Sequence, residues 1–164
     1  MMESKTQLIL LAELKTQGCT NLKLRQVTRR VSQLYDLEMA KAGLTTTQFS
    51  LLSHVTKLGP LRPGELARKM KFSASTLTRN LKPLVDAGWV ELSAGSDARS
   101  RSVVVTAAGV AKQVQAREHW KAAQQTLNRV LGMERVLALH TLINESMDLL
   151  SALEIPSEPG ADDE

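Results

Sequence analysis

Cysteine is almost missing from this chain. Cys19 stands alone among 164 residues, which excludes an internal disulfide and agrees with a reducing compartment. No run of about 18 apolar residues occurs, and the N-terminus lacks the charged, apolar, small-residue order of an export leader. A soluble, cytoplasmic chain with no membrane partner is therefore expected. The three histidines, His54, His119 and His140, show no i,i+4 pairing and no neighbouring C-x-x-C, so no metal site is predicted. The strings G-x-x-x-x-G-K-S/T, G-x-G-x-x-G and G-x-S-x-G are also absent, which removes the usual grounds for a nucleotide or hydrolase site. Neither a cofactor nor enzymatic activity is expected, since Cys19 as a nucleophile would need an adjacent base that the sequence does not supply.

What the chain does have is positive charge, partly hidden by its own end. The formal net charge is +4, yet residues 154–164 hold five acids (Glu154, Glu158, Asp162, Asp163 and Glu164) and no base, so residues 1–153 carry +9. Between Lys57 and Arg101, nine Lys or Arg face four acids. Such density suits a polyanion partner, although a well-solvated surface would look the same by charge alone. With 18.0 kDa and 43% hydrophobic residues, the chain is sized for one domain with a real core.

Helix boundaries are written out with unusual clarity. In "AGLTTTQFSLLSHVTKLG", Thr45 and Gln48 form a T-x-x-Q capping box, Leu44 and Phe49 occupy staple positions, and Gly59 precedes Pro60, which predicts a helix over 46–58. Pro63 suits the first turn of a short helix ending near Met70, with Leu66, Ala67 and Met70 inward. Ser73 caps the next helix, with Phe72 and Leu77 at staple spacing; two short helices about three residues apart have helix-turn-helix spacing. Beyond Gly88 the period changes. "WVELS" and "SVVVT" read as strands bracketing the loop "AGSDARSR", a basic hairpin, and the whole becomes a winged helix.

Helices also flank this core. One is predicted from about 22 to 42, marked by Leu24, Val27, Val31, Leu34 and Met39. A second starts from a Thr106 cap, with Val105 and Val110 at staple spacing, and runs to Leu131 before Gly132. A third, over 133–153, places Val136, Leu139, Ile143, Met147 and Leu150 on one face. A winged helix needs only three helices of its own, so the outer stripes require another partner, and a second copy of the chain is the expected one. The fold class is mainly α with a small β-hairpin wing. Its parts are N-terminal dimerisation helices over 1–42, the winged helix-turn-helix over 43–106, C-terminal dimerisation helices over 107–153, and an acidic tail over 154–164 with the composition of disorder.

From about Leu22 to Leu153 the sequence resembles the MarR family of bacterial winged-helix regulators. "DARSRSVVVTAAG" follows that family's wing motif, D-x-R, a six-residue gap, then T-x-x-G, and "GLTTTQFSLLSHV", "GELARKM" and "STLTRNLKPLVDAGWV" stand in the family's order. Three departures occur: Val105 where Leu is usual, Arg62 in place of a hydroxylic cap before Pro63, and Pro83 within the recognition helix. The resemblance implies a homodimeric transcriptional regulator, more often a repressor, that binds double-stranded DNA at a pseudo-palindromic operator and is released by a small-molecule effector or an oxidant.

Site residues follow from chemistry and resemblance together. At the N-terminal half of a recognition helix, short hydroxyls reach phosphates and bases while a longer Arg can span a guanine edge. Ser73, Ser75, Thr76, Thr78, Arg79 and Lys82 fit those parts, and Leu77, Leu81, Leu84 and Val85 supply the anchoring stripe. Pro83, lacking an N–H, predicts a bend in the later half of this helix. By the resemblance, Arg99 enters the minor groove, Asp97 shapes the wing loop, and Arg101 meets the backbone. Cys19, set between Lys15 and Lys23, has the surroundings of a redox-sensing thiol, or is a small buried hydrophobe; both readings stand. The competing function is a winged-helix module that docks another protein through its basic face without reading DNA.

Overall fold

The computed structural model describes residues 18–94 and 101–153. Asp97, Arg99, the acidic tail and the first part of the N-terminal dimerisation region lie outside the described residues. Two compact units divide the chain, residues 1–33 and 34–164. In order, the elements are α1 (Thr20–Ala40), α2 (Thr46–Leu58), α3 (Pro63–Met70), α4 (Ala74–Asp86), β1 (Val90–Ala94), β2 (Arg101–Val105), α5 (Ala107–Leu131) and α6 (Met133–Ser151). No helix among the described residues is long and apolar enough to cross a membrane.

The capping chemistry forms as read. The Gln48 N–H donates to Thr45 Oγ1 at 3.2 Å, and the Thr45 N–H donates to Gln48 Oε1 at 3.0 Å, while Leu44 and Phe49 are both buried. Asp36 adds a clamp from α1, accepting the Thr46 N–H at 2.9 Å and its hydroxyl at 2.7 Å. Gly59 ends α2 as read, and space is what it supplies there. Its φ is −67°, outside the left-handed region, and what requires glycine is space, because a Cβ there would stand 2.6 Å from the Val55 carbonyl oxygen. At the start of α3, Arg62 offers no acceptor, so only half a capping box forms: its own N–H donates to Glu65 Oε2 at 3.1 Å.

β1 and β2 pair antiparallel from Val90 opposite Val105 to Ala94 opposite Arg101, one residue away from the predicted strands at each end. Leu61 extends the ladder by a backbone bridge to Val103. Leu51, Leu52 and Val55 of α2, Leu66 of α3, Leu84 of α4, and Val90 and Val103 of the hairpin are all fully buried and form one cluster. Burial on this scale is what holds short helices that are marginal alone.

Thr106 caps α5, accepting the Gly109 N–H at 3.0 Å and donating its hydroxyl to the Gly88 carbonyl at 2.7 Å. Val110, the expected staple partner of Val105, is 41% exposed. Val105 also packs on Gly109, its Cγ2 only 2.9 Å from where a Cβ would stand, and the Trp89 carbonyl oxygen would be 1.9 Å from that Cβ. The spacing T-x-x-G is thereby explained: the threonine caps, and three residues on, the absence of a side chain admits the strand's backbone. Further along α5, the Tyr35 hydroxyl donates to Gln124 Oε1, its ring lies 6.4 Å from Trp120, and Gln124 donates to Asn128. Gly132, at φ 82°, separates α5 from α6, which ends at Ser151, two residues earlier than predicted.

Candidate nucleic-acid interface

The α4 helix sorts its residues by face. Leu77, Leu81 and Leu84 are buried, and Ser73, Ser75, Thr78, Arg79 and Lys82 are exposed, with Thr76 half-buried. The helix runs unbroken across Pro83, three residues from its end. At that position the missing N–H deprives one carbonyl only, that of Arg79, on the exposed side.

The hydroxyls form a small network at the helix start. Ser73 Oγ accepts the Thr76 N–H at 3.2 Å and donates to Thr76 Oγ1 at 2.9 Å. Because a hydroxyl has one proton, the 3.1 Å contact between Ser73 and Ser75 is donated by Ser75. That leaves the Thr76 proton and the Ser75 lone pairs for an outside partner. Thr78 Oγ1 is turned back onto the Ala74 carbonyl at 2.9 Å, so it presents its methyl and remaining lone pairs. The sequence reading gave capping to Ser73; the structure extends local bonding to Ser75, Thr76 and Thr78.

The cations differ in their freedom. Arg79 is exposed and enters none of the ion pairs among the described residues. Lys82 pairs with Asp86 at 2.8 Å, with side chains 72% and 59% exposed, an arrangement worth well under ~1 kcal/mol and readily exchanged for a phosphate. Arg101 is exposed at the first residue of β2, where the hairpin leaves the core. Sequence reasoning counted Arg62, Arg68 and Lys69 as charge but did not name them as contacts. All three are exposed on and beside α3, the helix that crosses the backbone in helix-turn-helix docking, and that geometry was the signal available. Cys19 is exposed just ahead of α1, which disposes of its reading as a buried hydrophobe within the single chain.

A family model described as MarR family matches residues 42–100. An uncharacterized HTH-type transcriptional regulator of Bacillus subtilis (strain 168), YwoH, is 30% identical over 84 residues, covering 51% of this chain and 61% of that protein, so the likeness spans about three fifths of the relative's length. Among solved structures, the M. tuberculosis transcriptional regulator MosR in complex with DNA is 30% identical with a TM-score of 0.62, over 79% of this chain and 98% of that one. Wild-type MarR from E. coli, in its apo form, superposes with a TM-score of 0.67 over 80% of this chain and 98% of that one; at 24% identity it speaks to the fold.

Proposed function

The chain belongs to the MarR family of winged-helix transcriptional regulators, and from that premise we propose that it is a homodimer that binds duplex DNA at a pseudo-palindromic operator, acts as a repressor, and lets go on a small-molecule or oxidant signal. The observation that carries the reading is the division of α4 into a buried leucine face and an exposed row, Ser75, Thr78, Arg79 and Lys82. A helix anchored on one side and equipped with hydroxyls and cations on the other has what major-groove recognition asks for. The DNA-bound state of MosR supports carrying that role across. By the family resemblance, Arg99 reads minor-groove width and Arg101 the backbone.

The second copy is supported by α6. Ile143, Met147 and Leu150, on the predicted stripe, and Leu137, Leu142 and Leu149 beside it are all exposed, and an apolar stripe left open in this way is the kind that a partner covers. Two reading helices related by a dyad contact half-sites about one helical turn apart, roughly 10 base pairs. An effector that lowers DNA affinity 100-fold must favour the DNA-incompetent shape by about 2.7 kcal/mol. If the signal is an oxidant acting at Cys19, Cys19→Ser stays on DNA after peroxide while the wild type leaves.

The test is a titration of wild type, Arg79→Ala and Arg99→Ala against duplexes from the promoter of the chain's own gene. Arg79→Ala is expected to cost about 1–3 kcal/mol per half-site and to relax preference at one symmetric position. Arg99→Ala weakens binding most on A·T-rich flanks. Should both variants bind every duplex as the wild type does, the basic face is not a reading head, and the protein-docking module takes its place.

A further inference from the structure

Three helices of this chain end in the same way, and one of them breaks its own rule. After α1, the Gly43 N–H donates to the Ala40 carbonyl and the Leu44 N–H to Met39; after α4, Gly88 donates to Val85 and Trp89 to Leu84. Both are Schellman closures with a left-handed glycine, φ 68° and 71°. After α3 the pattern repeats, with the Lys71 N–H donating to Arg68 at 3.2 Å and the Phe72 N–H to Ala67 at 2.9 Å, but the left-handed residue, φ 52° and ψ 43°, is a lysine. Among the described residues Lys71 is the one non-glycine with positive φ, against glycines at 18, 43, 88 and 132.

A side chain in that conformation strains the backbone, and strain of this kind persists where the residue does something else. The Lys71 side chain stabilises nothing visible in the fold, being exposed and without an ion pair among the described residues. Its place is the turn between α3 and α4, two residues before the Ser73 cap and beside exposed Arg68 and Lys69. We infer that Lys71 is a phosphate-binding residue of the DNA interface, kept at a glycine position because its cation is needed at the entry of the reading helix. This inference rests on the DNA-binding reading above and adds a contact to it.

Strain and contact push in opposite directions, so they separate by experiment. Lys71→Gly relieves the backbone and Lys71→Asn tolerates it without the charge. The probe is a random-sequence duplex of about 30 base pairs, since phosphate contacts need no operator. Both variants should melt at or above the wild-type temperature, the glycine variant by up to ~3 °C. Both should bind the duplex more weakly at low salt, with the salt slope reduced by about 1.8 for two contacts per dimer, so that the deficit shrinks roughly tenfold between ~50 and ~200 mM salt. Unchanged slopes overturn the inference, as does a drop in melting temperature for both, which would make Lys71 a structural residue. If the variants match a wild type that binds with a salt slope, only the Lys71 assignment falls; if the wild type itself shows no salt-dependent binding, the DNA-binding reading falls with it.

Discussion

The helix-turn-helix and the last helix treat their leucines in opposite ways. In the first, Leu66, Leu77 and Leu84 are sealed against α2 and the hairpin; in α6, Leu142 is 61% exposed and only Val136 is buried. The helix-turn-helix is thus closed within one chain, while α6 keeps apolar side chains exposed among the described residues. What the contrast teaches is that packing within one chain closes the helix-turn-helix and leaves the leucines of α6 open, the surface that the proposed second copy would cover.

The widest gap between the two regions should appear when a leucine is removed from each. Leu66→Ala opens a cavity in a fully buried site and should cost about 2–5 kcal/mol in denaturant unfolding. Leu142→Glu should leave the fold of the single chain within about 0.5 kcal/mol and act on association: the wild type's melting temperature should rise with protein concentration, and the variant's should not. A variant that sediments as a dimer like the wild type would remove Leu142 from the interface.

Gly109→Ala probes the seam between hairpin and α5. A methyl group 1.9 Å from the Trp89 carbonyl oxygen cannot be accommodated without backbone movement, and a loss of about 3 kcal/mol is expected, read from the denaturation midpoint. Gly64→Ala, which meets nothing within 4 Å, is the control and should be tolerated.

The smallest effect concerns Tyr35. Burial raises its hydroxyl above the ordinary value of 10.0, so the folded chain holds that proton more firmly than the unfolded one. Its contribution is therefore whole below pH ~10 and is lost as pH rises through the folded value. Tyr35→Phe cannot ionise, and its stability should fall less steeply than the wild type's between pH ~9 and ~11, measured by denaturant midpoints.

Local chemistry was the legible part. The Thr45–Gln48 box, the Ser73 cap and the Thr106 cap each involve residues three apart, and each formed. The face of α4 was legible as well, because Leu77, Leu81 and Leu84 recur at the helical period. Features that depend on distant chain were missed. The close approach of the Trp89 carbonyl to Gly109, twenty residues on, is such a feature: the T-x-x-G spacing marks the position, and the partner comes from the end of α4. The hydroxyl network of Ser73, Ser75 and Thr76 depends on proton direction, which residue types alone do not specify.

The seam at Gly109 also works as a fulcrum. Three fastenings meet there: the Thr106 hydroxyl on the Gly88 carbonyl at 2.7 Å, the Thr106 N–H on the Trp89 carbonyl at 3.1 Å, and the bare Gly109 backbone against that same carbonyl. From it projects α5, 25 residues long and hence a rod of roughly 37 Å, so that a tilt of about 5° at the pivot sweeps the far end through ~3 Å. With the end of α4 and the root of the hairpin fastened at the near end, and Gln113 bonded to Ser53 of α2 further along, a displacement at Leu131 would be met at the seam by three elements of the winged core.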